Sequence, residues 1–331
     1  MQRVGCLKEK LLSFENLYTA YKKAYLVTKN YSSYRFAFHV EKELFLLQKE
    51  LSEDTYVLGD YFYFTITDPK ERTISVAQFR DRVVHHALVN ILEPIYEKRF
   101  IFDSYATRKE KGTHKAIERA QSFLYKNHWY LKMDVKKYFD SINHEALNTA
   151  IGRKIKDHYV LNLCRKIIAK GGDGIKGLPI GNLTSQFFAN VYLDVFDHYV
   201  KDEKSVKFYV RYMDDFCVFS NDKDLLKELY KEVVIFLDDK LKLGIKDTAT
   251  LINTSLHGLP FLGVRIFPKM IRLKKENFKR SFNKLKTRER EYDNGLIDYN
   301  RYTSSMQSLI AHMNYYGNNL LKSRLYNGAV S

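Results

Sequence analysis

The chain has 331 residues, 45% hydrophobic and 15% aromatic, enough to bury one large domain or a few small ones rather than remain disordered. Lysine and arginine total 55 against 39 acidic residues, a formal net charge of +16, so a polyanion such as nucleic acid is a better partner than an acidic protein or a bare membrane. Three scattered cysteines (Cys6, Cys164, Cys217) with no C-x-x-C pair argue against a zinc or disulfide framework, and without a leader pattern or an apolar run of membrane length the expectation is a cytoplasmic protein.

Residues 1–30 carry apolar side chains at helical spacing (Leu7, Leu11, Leu17, Tyr21, Tyr25) with lysines opposite, and a second helix is expected from Phe36 to Leu51. Tyr56 to Ile66 reads as strands with a turn near Gly59, closed by Asp68-Pro69. Helix resumes over Val76 to Glu97, where His85 and His86 read as packing groups rather than ligands. A basic loop, Phe102 to His114, then enters a helix near Thr113. Its Arg108 and Lys111, beside Gly112 and a helix start, suit a triphosphate as well as they suit plain solvent.

Trp129 to Val135 reads as a strand that ends in a carboxylate, Asp134. A glycine-rich stretch, 171–186, leads into a helix with a buried face (Phe187, Val191, Tyr192, Val195, Tyr199). Phe208 to Phe219 follows as a hairpin with Asp214 and Asp215 at its turn. Adjacent carboxylates repel, so a divalent cation is expected between them, and three carboxylates on neighbouring strands suit two Mg²⁺, or Mn²⁺ in substitution. A helix from Lys223 to Leu241 and strands at Ala249–Ile252 and Phe261–Ile266 complete a β-α-β-β-α-β order. The remainder is helical and basic. Its aromatics (Phe278, Phe282, Tyr299, Tyr302, Tyr315, Tyr316) supply a core, and Lys274, Lys275, Lys279, Arg280 and Lys284 form a phosphate-tracking face.

Asp134 with Phe139-Asp140, the run from Gly177 to Gln186, Tyr212-Met213-Asp214-Asp215 and Phe261-Leu262-Gly263 resemble, in order and spacing, motifs A, B and C and the primer grip of a reverse transcriptase. Arg80-Asp81-Arg82 and Ser104 to His114 are similar to fingers motifs of group II intron and other bacterial enzymes. Motif B reads Ile180-Gly181 and Ser185-Gln186 where most such enzymes have Gln-Gly and Ser-Pro, and this resembles the diversity-generating retroelements. Those enzymes copy a template-repeat RNA with frequent errors at adenines, aided by an accessory variability protein.

The resemblance implies an α+β right-hand polymerase fold with a ferredoxin-like palm. Fingers would occupy 1–128, the palm 129–268 with the motif B insertion near 150–186, and a helical thumb 269–331. It makes Asp134, Asp214 and Asp215 the catalytic carboxylates and adds the Val135 carbonyl to the metal ligands. Arg108 and Lys111 would contact the triphosphate, Phe139 would shut out a ribose 2′-OH, and Ile180, Gly181 and Gln186 would wall the nucleotide pocket. The role of Lys246 stays open. The implied partners are an RNA template, a DNA or RNA primer, dNTPs and the accessory protein, with no membrane. Competing readings are a retron or phage-defence reverse transcriptase, an RNA-dependent RNA polymerase, disfavoured by the bulk of Phe139, and a non-catalytic nucleic-acid-binding protein, disfavoured by the intact carboxylates.

Overall fold

The computed structural model describes residues 3–67 and 70–315, so the Asp68-Pro69 turn, Tyr316 and the rest of the C-terminal stretch lie outside the described residues. The first segment is two helices, α1 (Lys8–Leu12) and α2 (Phe14–Val27), because Ser13 takes extended backbone and its hydroxyl accepts the Asn16 N–H at 3.3 Å. A capping box at Asn30 starts α3 (Tyr31–Phe38), and α4 (Val40–Ser52) follows after the non-helical His39. A hairpin comes next, β1 (Phe62–Ile66) with β2 (Arg72–Val76), then α5 (Phe79–Glu97). The hairpin turn therefore lies after Ile66 and not near Gly59. Asp81 is the reason: it accepts from the Tyr56 hydroxyl and from the Gly59 N–H, pinning that stretch to the start of α5 as coil.

After α6 (Thr113–Lys126) the chain enters β3 (Trp129–Asp134), the short α7 (Tyr138–Ser141), α8 (His144–Gly152), α9 (His158–Ala169) and α10 (Leu183–His198). The hairpin β4 (Tyr209–Tyr212) and β5 (Asp215–Ser220), then α11 (Lys223–Leu241) and β6 (Leu251–Thr254), complete a four-stranded antiparallel sheet of order β4-β5-β3-β6. The β-α-β-β-α-β order expected from the sequence is the order observed. Alternation along the strands builds two cores. Leu131, Met133, Phe216 and Val218 face the larger one with α5, α10 and α11, whereas Tyr130, Cys217 and Phe219 face a smaller one with Ile117 and Phe123 of α6.

A second sheet, β7 (Leu259–Phe261), β8 (Val264–Ile266) and β9 (Ile271–Leu273), joins that smaller core. β9 occupies the start of the segment expected to be wholly helical, and the helices α12 (Lys275–Asp293) and α13 (Tyr299–Tyr315) begin after it. Among the described residues no helix is long and apolar enough to cross a membrane.

The largest fully buried side chain is Arg211 of β4. All five of its N–H donors are used: Nε and Nη2 grip Asp197 of α10 at 2.7 and 2.6 Å, Nη1 reaches Asn190 Oδ1 and the Met213 carbonyl at 3.1 Å each, and Nη2 reaches Ser104 Oγ at 3.0 Å. One guanidinium thus ties a core helix, the loop before α6 and the hairpin turn together. Breaking one side leaves the other charge buried and uncompensated. Arg211→Met is expected to cost about 3–5 kcal/mol in urea or guanidinium denaturation. Most of that loss should be recovered in Arg211→Met/Asp197→Leu; a single variant as stable as wild type would show that the pair is dispensable.

Candidate active site

β3 and β5 pair in a register that sets Asp134 directly opposite Asp215, and Tyr212 pairs with Asp215, leaving Met213 and Asp214 as the two residues of the hairpin turn. Met213 is held at φ +56°, a left-handed conformation that costs about 1–2 kcal/mol for a residue with a Cβ. The Arg211 bond to its carbonyl holds it there. Two further backbone bonds clamp the junction, Val135 N–H to the Asp214 carbonyl at 3.2 Å and Lys246 N–H to the Asp134 carbonyl at 2.9 Å. Burial, and then the charge of Asp134, push the Asp214 carboxyl above its ordinary range, with Arg72 and Lys132 pulling the other way. Burial pushes Asp215 further, to about 7, despite its partner Lys132.

A cleft of about 700 Å³ opens beside this junction, with Asp134, Val135 and Asp214 on one wall and Phe139, Ile180 and Lys246 around it. Lys70 and Arg72, from the β1–β2 hairpin, line it as well. Motif B is tied to both neighbours. Leu178 N–H donates to the Phe139 carbonyl at 2.8 Å, and Ser75 N–H donates to the Ile180 carbonyl at 2.8 Å. Gly181 is required for that approach: at φ +115°, a Cβ there would lie 2.8 Å from an Ile74 methyl and 3.1 Å from the Ser75 carbonyl oxygen. The Asn182 amide also binds Ser75 O at 3.0 Å, so the loop and hairpin dock as one unit and hold Ile180 over the cleft.

Among the described residues no group of three or more His, Cys, Asp or Glu converges as a metal cage. Asp134 and Asp214 nonetheless fit a hard divalent cation, because Mg²⁺ is commonly held by one or two carboxylates with water and substrate phosphate completing its shell. Their mutual repulsion is the strain such an ion relieves.

A sequence model of the family described as reverse transcriptase (RNA-dependent DNA polymerase) matches residues 67–266. The chain belongs to this family. The reverse transcriptase is 26% identical over 276 residues to protein YkfC of Escherichia coli, covering 70% of this chain and 72% of that protein. It is 24% identical over 266 residues to the group II intron-encoded protein LtrA of Lactococcus lactis, covering 60% of this chain but 44% of that one. The solved structure of apo telomerase from Candida tropicalis shares the fold, with a TM-score of 0.52 at 15% identity over 69% of this chain and 52% of that chain. The right-hand polymerase fold is therefore the fold of this reverse transcriptase.

The structure moves several expected residues out of the site. Arg108 is buried under its own loop, where it binds Glu97 through Nε and Nη2 at 3.0–3.1 Å and the Ile101 and Ser104 carbonyls at 2.6 and 2.9 Å. Lys111 folds onto the Phe102 carbonyl at 2.8 Å and over the Phe102 ring. Neither lines the cleft, whereas Lys70, Arg72 and Lys246 do. Gln186, one turn into α10, is half-buried and also absent from the cleft wall. Asp215 does not line it either; its Oδ1 lies 2.7 Å from Lys132 Nζ, with which it forms an ion pair. Lys274, Lys275, Lys279 and Lys284 are exposed at the start of α12 and along it, and Lys279, Arg280 and Lys284 border a shallow open trough there. Lys70, Arg72 and Lys132 are absent from the sequence reading. For Lys132 a signal exists, since a lysine two positions before the carboxylate that ends a strand shares that carboxylate's face.

Asp214→Asn is expected to raise the melting temperature in EDTA. The native carboxyl titrates above its unfolded value, so its ionisation opposes folding at high pH, and that penalty fades as pH falls toward the ordinary carboxylate range. The gain should be larger at pH 8 than at pH 5, and added Mg²⁺ should stabilise wild type only. An Asn variant no more stable than wild type at pH 8 would refute the repulsion argument.

Proposed function

We propose that the chain is an RNA-directed DNA polymerase of the diversity-generating retroelement type, copying a template-repeat RNA into adenine-mutagenic cDNA in the cytoplasm with an accessory variability protein. The observation that carries the reading is Ile180, held by Gly181 and Asn182 on the wall of the cleft that Asp134 and Asp214 face. In this reading Asp134, the Val135 carbonyl and Asp214 would hold two Mg²⁺, which when bound would make the primer 3′-hydroxyl easier to deprotonate and offset charge at the α-phosphate. Lys70, Arg72 and Lys246 hold the triphosphate and orient its leaving pyrophosphate. Phe139 stands against the sugar edge, excluding a 2′-OH by bulk. The basic run on α12 tracks the primer–template duplex through phosphates, without reading sequence.

Ile180 offers shape but no hydrogen bond to the nascent pair, and shape alone discriminates by about 1–3 kcal/mol. Fidelity should suffer accordingly. The likeness to an intron-encoded protein also accommodates a faithful enzyme of the retron or phage-defence kind. Sequencing cDNA made on one adenine-containing RNA separates the two. Wild type is expected to misincorporate opposite adenine, with Ile180→Gln improving fidelity there by roughly ten- to a hundredfold. Equal, low error in both proteins would favour the faithful reading. A second measurement concerns sugar choice: Phe139→Ala should raise incorporation of ribonucleotides relative to deoxyribonucleotides by at least about tenfold. Unchanged discrimination would make Phe139 a packing residue only.

A further inference from the structure

Asp134 and Asp215 are cross-strand partners, so their side chains leave the same face of the sheet, where directly opposed like charges are destabilising. Asp214 adds a third carboxylate at the adjoining turn. Lys132 shares that face, two residues before Asp134, and its register partners are Cys217 on β5 and Leu251 on β6. Its aliphatic stem is enclosed, with 10% of the side chain exposed, and its Nζ reaches diagonally to Asp215 Oδ1 at 2.7 Å. Among the described residues no other cation stands within ion-pair distance of Asp215. An ammonium in the middle strand of a sheet is costly to bury unless paired, and this one is paired with a carboxylate that the cleft does not include.

We propose that Lys132 is a positioning residue that retains Asp215 as its counter-ion, leaving Asp134 and Asp214 as the only carboxylates that bind the cation. The inference rests on the polymerase reading of the cleft and deepens it. With Lys132 present the three carboxylates and one ammonium sum to −2, a charge that still draws divalent cations to Asp134 and Asp214. Without it the cluster carries −3, and Asp215 is free to swing toward the ion as an extra ligand. Mg²⁺ tolerates crowded carboxylates poorly, since it demands near-octahedral geometry and keeps several waters. Lys132 thereby sets both the charge and the ligand count of the site.

The test is Mn²⁺ binding to the nucleotide-free protein at pH 8, followed by electron paramagnetic resonance, with primer-extension kcat and KM measured in parallel. Asp134→Asn and Asp214→Asn each remove a ligand as well as a charge and should weaken Mn²⁺ binding by about a hundredfold or more, whereas Asp215→Asn removes only a charge held off the ion and should weaken it by about fifteenfold, which offsets the gain from Lys132→Met in the double variant. Lys132→Met should tighten it about fifteenfold, the effect of removing one unit charge some 5 Å from a divalent ion in a water-like medium, while lowering kcat more than it alters KM. Lys132→Arg should restore both values. Where Lys132→Met proves poorly folded, Lys132→Met/Asp215→Asn removes both charges and should bind Mn²⁺ as wild type does. Asp215→Asn weakening binding as much as Asp214→Asn, or a Lys132→Met protein or double variant with loosened affinity, would overturn the inference while leaving the polymerase reading intact. A wild type that binds no Mn²⁺ would instead remove that reading, and the inference with it.

Discussion

A single buried guanidinium orders this molecule. Arg211 uses every donor it has on Asp197, Asn190, Ser104 and the Met213 carbonyl, four groups that come from one helix (α10), a loop and a turn. Tyr209 donates to the same Asp197 at 2.7 Å, and backbone bonds join Asp103 and Tyr105 to Arg211 on the other side. Such a network is costly to desolvate and pays only when complete. Its completeness is what holds Met213 in a left-handed conformation and so sets where Asp214 stands relative to Asp134.

The carboxylate junction is the opposite case, an arrangement that folding alone would avoid. Asp134 and Asp214 adjoin one another on the cleft wall, and a third carboxylate, Asp215, is pressed against them across the strands. The fold contains that repulsion with Lys132 on one side and Arg72 on the other, and leaves a remainder that a cation can satisfy. Stability given up at the junction is recovered in the two apolar cores on either side of the sheet, which bury β3 and β5 on alternate residues.

Docking of the β1–β2 hairpin follows from small features. Gly181 lets motif B come within hydrogen-bonding distance of β2, and Asn182 closes the contact with its amide. The result places Arg72 and Lys70 beside the carboxylates although some sixty residues separate them in the chain from Asp134. A hairpin whose strand β1 is exposed throughout is held to the rest of the protein largely through this seam.

The strand that ends in Asp134, the acidic hairpin, the buried helix before it and the β-α-β-β-α-β order were legible in the amino-acid sequence, because each depends on a local period or on adjacent residues. Membership of the reverse transcriptases was legible for the same reason, as its motifs are short runs in a set order. What only the tertiary structure decided is which charge meets which. A basic loop has the same composition whether its cations face a triphosphate or, as with Arg108 and Glu97, hold the loop itself together. A lysine in a strand looks out of place until Asp215 is found beside it. Ion pairs are chosen by burial and by distance between elements far apart in the chain, and neither quantity is written in local periodicity.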